Sequence, residues 1–119
     1  MATQPTEMAS LVKVAQTSDI PPGTGRLVVI GDRRIAVFNC AGQFYAIDDT
    51  CTHAEASLSE GFLENGVIEC PLHGARFDVR TGAVLSLPAV RPVATYEVRV
   101  EGTDLLVNPE PRPASRRGR

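Results

Sequence analysis

Two short segments hold most of the residues able to bind a metal: Cys51-Thr52-His53 and Cys70-Pro71-Leu72-His73. They contain both histidines of the chain and two of its three cysteines, and sixteen residues, 54–69, separate them. Each segment offers one thiolate and one imidazole, which are soft or borderline ligands, so the pair reads as a metal site. Zinc is the first competitor, since two cysteines and two histidines are a common tetrahedral zinc set. Zinc fingers, however, group the two cysteines and then the two histidines. Here each segment alternates them. Two segments of this kind can give both sulfurs to one metal ion and both nitrogens to a second.

The elements that must position these loops are short and extended. A helical period is almost absent, while alternating or β-branched runs recur between turn residues. Residues 11–15 read as a strand, followed by a turn at Pro21-Pro22-Gly23. Residues 26–30 and 34–39 read as a hairpin across Gly31-Asp32, and Ala41-Gly42 turns the chain into 43–48. Asn65-Gly66 is a strong hairpin signal between 62–63 and 67–69. Residues 76–79 and 83–85 flank Thr81-Gly82. Tyr96, Val98 and Val100 alternate with Glu97, Arg99 and Glu101, which predicts a single strand with one wet face. Residues 102–104 then turn into 105–108. About nine short strands predict an all-β antiparallel sandwich or barrel.

The chain has 119 residues and no tryptophan, enough for one domain whose core rests on Val, Ile, Leu and Ala. The expected organisation is a flexible N-terminus at 1–9, a domain at 10–108 with its metal-binding part at about 49–88, and a disordered basic tail at 109–119. Residues 1–10 are polar and do not read as a secretory leader. The apolar runs are too short to span a bilayer. A cytoplasmic monomer without a membrane partner is expected. One cysteine, Cys40, remains outside the two loops, so no internal disulfide framework is expected, and it reads as a small buried hydrophobe.

The formal charge of −2 is unevenly spread. The tail holds Arg112, Arg116, Arg117 and Arg119, too sparse a basic cluster beside an acidic body to predict nucleic-acid binding. No Lys or Arg occurs between Ile47 and Ala75, whereas Asp48, Asp49, Glu55, Glu60, Glu64 and Glu69 do. That stretch reads as a solvated surface, or as a negative field that steers a basic partner to the metal loops.

Cys51-Thr52-His53 with Cys70-Pro71-Leu72-His73-Gly74 resembles the Rieske motif, and the similarity runs from about residue 11 to 108. In size the chain is similar to the stand-alone Rieske ferredoxins of bacterial oxygenase systems. The resemblance implies one [2Fe–2S] cluster, with Cys51 and Cys70 on the inner iron and His53 and His73 on the outer, solvent-facing iron. It implies a third loop, Leu87-Pro88-Ala89, lying over the cluster. It also implies the function: a soluble one-electron carrier between a flavin-dependent reductase and a terminal oxygenase for aromatic or related hydrophobic substrates. Docking would be transient, near His53 and His73. Phe44, Leu72 and Pro88 are candidates for an apolar docking rim. The chain itself would not be an enzyme, because both histidines are committed and no 2-His-1-carboxylate site can form. The small subunit of assimilatory nitrite reductase also resembles Rieske proteins and is the alternative, followed by a structural zinc module.

High-potential respiratory members of the family add a cysteine to each loop, linked as a disulfide. They also carry a serine and a tyrosine whose hydroxyls bond cluster sulfurs. The matching positions here are Ala56, Leu72, Ala75 and Phe77. Without those donors the sulfurs stay electron-rich, which predicts a potential near the low end of the Rieske range, around −150 mV.

Overall fold

Ala41 and Asn65 take φ of 55° and 54°, each followed by a glycine at positive φ. Two consecutive residues in that region are what a tight two-residue hairpin turn needs, and β-hairpins form across the expected turns at 31–32, 41–42 and 65–66. The computed structural model describes residues 11–52, 56–72, 74–86 and 91–112. The strands are β1 (Val12–Gln16), β2 (Gly25–Ile30), β3 (Arg33–Cys40), β4 (Gln43–Asp48), β5 (Phe62–Glu64), β6 (Val67–Glu69), β7 (Arg76–Asp78), β8 (Val84–Ser86), β9 (Thr95–Tyr96), β10 (Val98–Glu101) and β11 (Asp104–Val107). One-turn 3₁₀ helices lie at Thr17–Asp19 and Leu58–Glu60.

Three antiparallel sheets result, in the orders β1-β11-β10, β2-β3-β4-β9 and β5-β6-β7-β8. The middle sheet contributes to a core on each of its faces. Along β3, Ile35 and Val37 join a core with Ala15, Leu105 and Val107 of the first sheet. Ala36 and Phe38, between them in sequence, join a second core with Ile68 and Phe77 of the third. Side chains alternate across a strand, so a strand covered on both faces is apolar without interruption. That is the run Ile35-Ala36-Val37-Phe38. Burial of the phenyl rings of Phe38 and Phe77 in the second core stabilises it by about 2 kcal/mol each.

Three expectations change. The strand expected across 96–101 is broken at Glu97, where the chain switches sheets: Tyr96 pairs with Ala46 of β4, but Val98 pairs with Val107 of β11. The chain holds its course beyond 108, because Arg112 and Thr95 exchange both backbone hydrogen bonds, at 2.8 and 2.9 Å. Among the described residues eleven strands form where about nine were expected, and the division of 95–101 into two adds to the number. Residues 1–9 and the tail from 113 lie outside the described residues.

Candidate metal centre

The two cysteine segments are built on one plan. Thr50 bridges Ser57, and inside that bridge the Cys51 N–H donates to the Ala56 carbonyl at 3.0 Å. Glu69 pairs with Arg76, and inside that pair the Cys70 N–H donates to the Ala75 carbonyl at 2.7 Å. Each loop thus opens on a cysteine and closes on an alanine five residues later. In the second, Gly74 also donates to the Cys70 carbonyl at 3.1 Å with φ of 79°. A Cβ there would meet nothing closer than Glu69 Oε2 at 3.5 Å. Glycine is therefore needed for its backbone conformation and not for space among the protein atoms.

Cys51 and Cys70 are both buried and share one apolar cluster with Phe38, Ile68, Ala75 and Phe77. Two segments far apart in sequence so deliver their thiols to a single core. Buried thiolates need a cation to balance their charge, so this donor set fits a thiolate-ligated iron–sulfur centre. His53 and His73 lie outside the described residues, as do Leu87, Pro88 and Ala89 of the expected covering loop. The described ends of that loop are anchored to the two cysteine loops. Ser86 pairs with Arg76, directly after the second loop. Beyond the gap, Thr52 donates its hydroxyl to the Arg91 carbonyl at 2.8 Å, and Arg91 Nη2 returns to the Thr52 carbonyl at 3.5 Å.

Consecutive aspartates hold the first loop from below. Asp48 accepts the Tyr96 hydroxyl at 2.5 Å and the Ala94 N–H at 3.2 Å, tying the chain after the third loop to β4. Tyr96 is 2 % exposed. Burial first, then the Asp48 carboxylate, pushes its phenol up to about 12. Asp49, 1 % exposed, accepts from Ser57 and from the Ser59 N–H. Sequence reasoning placed both aspartates in an acidic surface and missed these roles. The available signal was the pair of serines at 57 and 59, whose hydroxyls and amides suit a buried acceptor.

Among the described residues the acidic surface is therefore smaller than expected, and Glu55 lies outside them. Asp49 is internal and Asp48 half-buried, while Glu60 and Glu64 are exposed and Glu69 is half-buried beside Arg76, 3.5 Å away. The apolar rim also changes. Leu72 is 55 % exposed, but Phe44 is half-buried against the other core, with Val37 and Leu105, away from the cysteines. Pro88 lies outside the described residues. Phe62, 67 % exposed, was overlooked. It stands opposite Glu69 across the β5–β6 pair, next to Cys70. Ala75 and Phe77 are fully buried and present no hydroxyl. Cys40 is half-buried at the edge of the same core, and burial pushes its thiol up.

The family model of the Rieske [2Fe-2S] domain matches residues 10–97. The chain belongs to the Rieske [2Fe–2S] family. The ferredoxin component of biphenyl 2,3-dioxygenase from Rhodococcus jostii (strain RHA1) is 46 % identical over 101 residues, covering 85 % of this chain and 94 % of that one. The 3-phenylpropionate/cinnamic acid dioxygenase ferredoxin subunit of Escherichia coli (strain K12) is 48 % identical over 98 residues, covering 81 % and 92 %. Among solved structures, a chain from the complex of reduced oxygenase and oxidized ferredoxin in carbazole 1,9a-dioxygenase superposes with a TM-score of 0.82 at 45 % identity, covering 87 % and 96 %. A nitrite reductase small-subunit structure reaches 0.72 at 26 % identity, covering 82 % and 96 %. The Rieske fold expected from the loops is the fold observed. The chain is a Rieske-type ferredoxin of the dioxygenase-component kind, an electron carrier rather than a catalytic subunit. Among the described residues no helix is long and apolar enough to cross a membrane.

Proposed function

We propose that this ferredoxin takes electrons singly from a flavin-dependent reductase and delivers them to a ring-hydroxylating terminal oxygenase in the cytoplasm. Cys51 and Cys70 would hold one iron of a single cluster, and His53 and His73 the other. When bound, the cluster supplies one-electron redox chemistry, and two neutral imidazoles in place of two thiolates make it less negative and easier to reduce than a four-cysteine centre. The observation that carries the reading is the shared plan of the two loops, which brings both thiols into one core.

The rest of the chain serves that centre. Buried Phe38, Ile68 and Phe77 exclude water from the thiolate side. Thr52 and Arg91 tie the first loop to the chain leaving the third. Exposed Glu60, in the 3₁₀ helix that follows the first loop, presents negative charge there, so the partner's docking face is expected to be basic. Apolar contact from Leu72 and Phe62 would complete a small, transient interface between monomeric carrier and partner. The nitrite reductase alternative is weaker, resting on 26 % identity against 45 %. Reconstitution tests the proposal. With a Rieske-system reductase and oxygenase, product formation should depend on this chain and vanish with Cys70→Ser. Reduction of the oxygenase at an undiminished rate without the chain would refute it.

A further inference from the structure

The two ligand loops share a plan but not a support. Behind the second loop runs a β ladder, with Glu69↔Arg76, Ile68↔Phe77 and Val67↔Asp78 paired in succession. Behind the first loop, among the described residues, there is one isolated bridge, Thr50↔Ser57, and then the 3₁₀ helix at Leu58–Glu60. A 3₁₀ turn cannot continue a ladder. At the place where the second loop has Ile68, two residues before its cysteine, the first has Asp49.

The Asp49 carboxylate gathers the returning chain. The Ser57 hydroxyl lies 2.9 Å from Oδ1 and 2.7 Å from Oδ2, and the Ser59 N–H donates to Oδ1 at 2.9 Å. With the Ser57 proton committed to the carboxylate, Ser59 donates its own hydroxyl to Ser57 at 2.8 Å. The Asp49 carbonyl accepts the Leu58 N–H at 2.7 Å. On the other side Asp49 is fixed to β3, through its N–H to the Arg34 carbonyl at 3.0 Å and through Arg34 Nη2 at 3.8 Å from Oδ2. A buried carboxylate is costly unless its acceptor sites are filled, and here two serines and an arginine face it.

We propose that Asp49 is the positioning residue of the first ligand loop. Its carboxylate replaces the missing ladder and fixes the frame in which Cys51 meets the metal, an inference that rests on the ligand assignment above. Partners that orient ligands in this way change metal affinity by about 10- to 100-fold when removed.

Hydrogen–deuterium exchange on the cluster-loaded full chain tests this, with the second loop as internal control. Asp49→Ala should speed exchange over residues 51–59 by about tenfold or more and leave residues 70–76 unchanged. It should also alter the electron paramagnetic resonance spectrum of the reduced protein. Asp49→Asn keeps an acceptor for the Ser59 N–H and gives Ser57 a donor, so it should restore both the protection and the spectrum. Ser57→Ala should reproduce the local pattern at smaller amplitude, and carries the test if Asp49→Ala does not accumulate. Equal acceleration in both loops, or none in either, would overturn the proposal. So would local acceleration with an unchanged spectrum. Cys51→Ser separates that result from a wrong ligand assignment: if Cys51 is a ligand, this variant changes or abolishes the spectrum whatever Asp49 does.

Discussion

Tyr96 donates its hydroxyl to Asp48 at 2.5 Å, joining the strand that follows the third loop to the strand that enters the first ligand loop. The contact is part-buried and its acceptor is a carboxylate. Tyr96→Phe should therefore cost about 1.5–3 kcal/mol, read by denaturant unfolding.

The same contact has a pH signature. The phenol is raised from 10.0 to about 12 in the fold, so the native state favours its neutral form. Its stabilisation is complete below pH 10, the unfolded value, and is lost as pH rises toward about 12. Wild type should lose stability across that window more steeply than Tyr96→Phe. Parallel pH profiles for the two proteins would remove the claim.

Gly82 is a structural requirement at the base of the third loop. Its φ is 80°, and a Cβ would stand 2.1 Å from the Val93 carbonyl oxygen. The backbone would have to move, and Val93 N–H donates to the Gly82 carbonyl at 3.0 Å. Gly82→Ala should cost about 3 kcal/mol or more, a size reserved for steric conflicts of this kind, again by denaturant unfolding.

The absence of a hydroxyl at Ala75 should keep the reduction potential low, around −150 mV. Ala75→Ser would add a donor where the respiratory proteins carry one, and should move the midpoint upward by an amount on the order of tens of millivolts. A redox titration reads both values. A clearly positive wild-type midpoint would contradict the first, and a downward shift the second.

Glu60 and Glu64 are exposed, so electron transfer to a basic partner should slow as salt rises from about 0.05 to 0.5 M, where the Debye length falls to a few ångströms. Stopped-flow rates check this, and a rate indifferent to ionic strength would exclude steering.

Much of the fold was legible because it is local. The Ala41-Gly42 and Asn65-Gly66 turns announce themselves, and Cys51 and Cys70, singled out by their spacing, meet in one core. What stayed hidden depends on contacts distant in sequence. The break at Glu97 arises because Tyr96 finds β4 and Val98 finds β11, a choice of partners that alternation cannot express. Phe44 had the chemistry for a docking rim, but register with Asn39 turned it toward the other core. Asp49 read as surface because carboxylates are rarely buried. Its burial depends on serines eight and ten residues on, brought back by a three-residue 3₁₀ helix too short to leave a periodic pattern.

The central claim is that Cys51, His53, Cys70 and His73 together hold one cluster that carries one electron. Reductive titration of the purified chain, followed by electron paramagnetic resonance with nitrogen hyperfine detection, tests it most directly. The account predicts uptake of about one electron per chain and a signal coupled to histidine nitrogen. It also predicts that Cys51→Ser and His73→Cys change or abolish that signal. A colourless protein that takes up no electron, or a signal without nitrogen coupling, would contradict it.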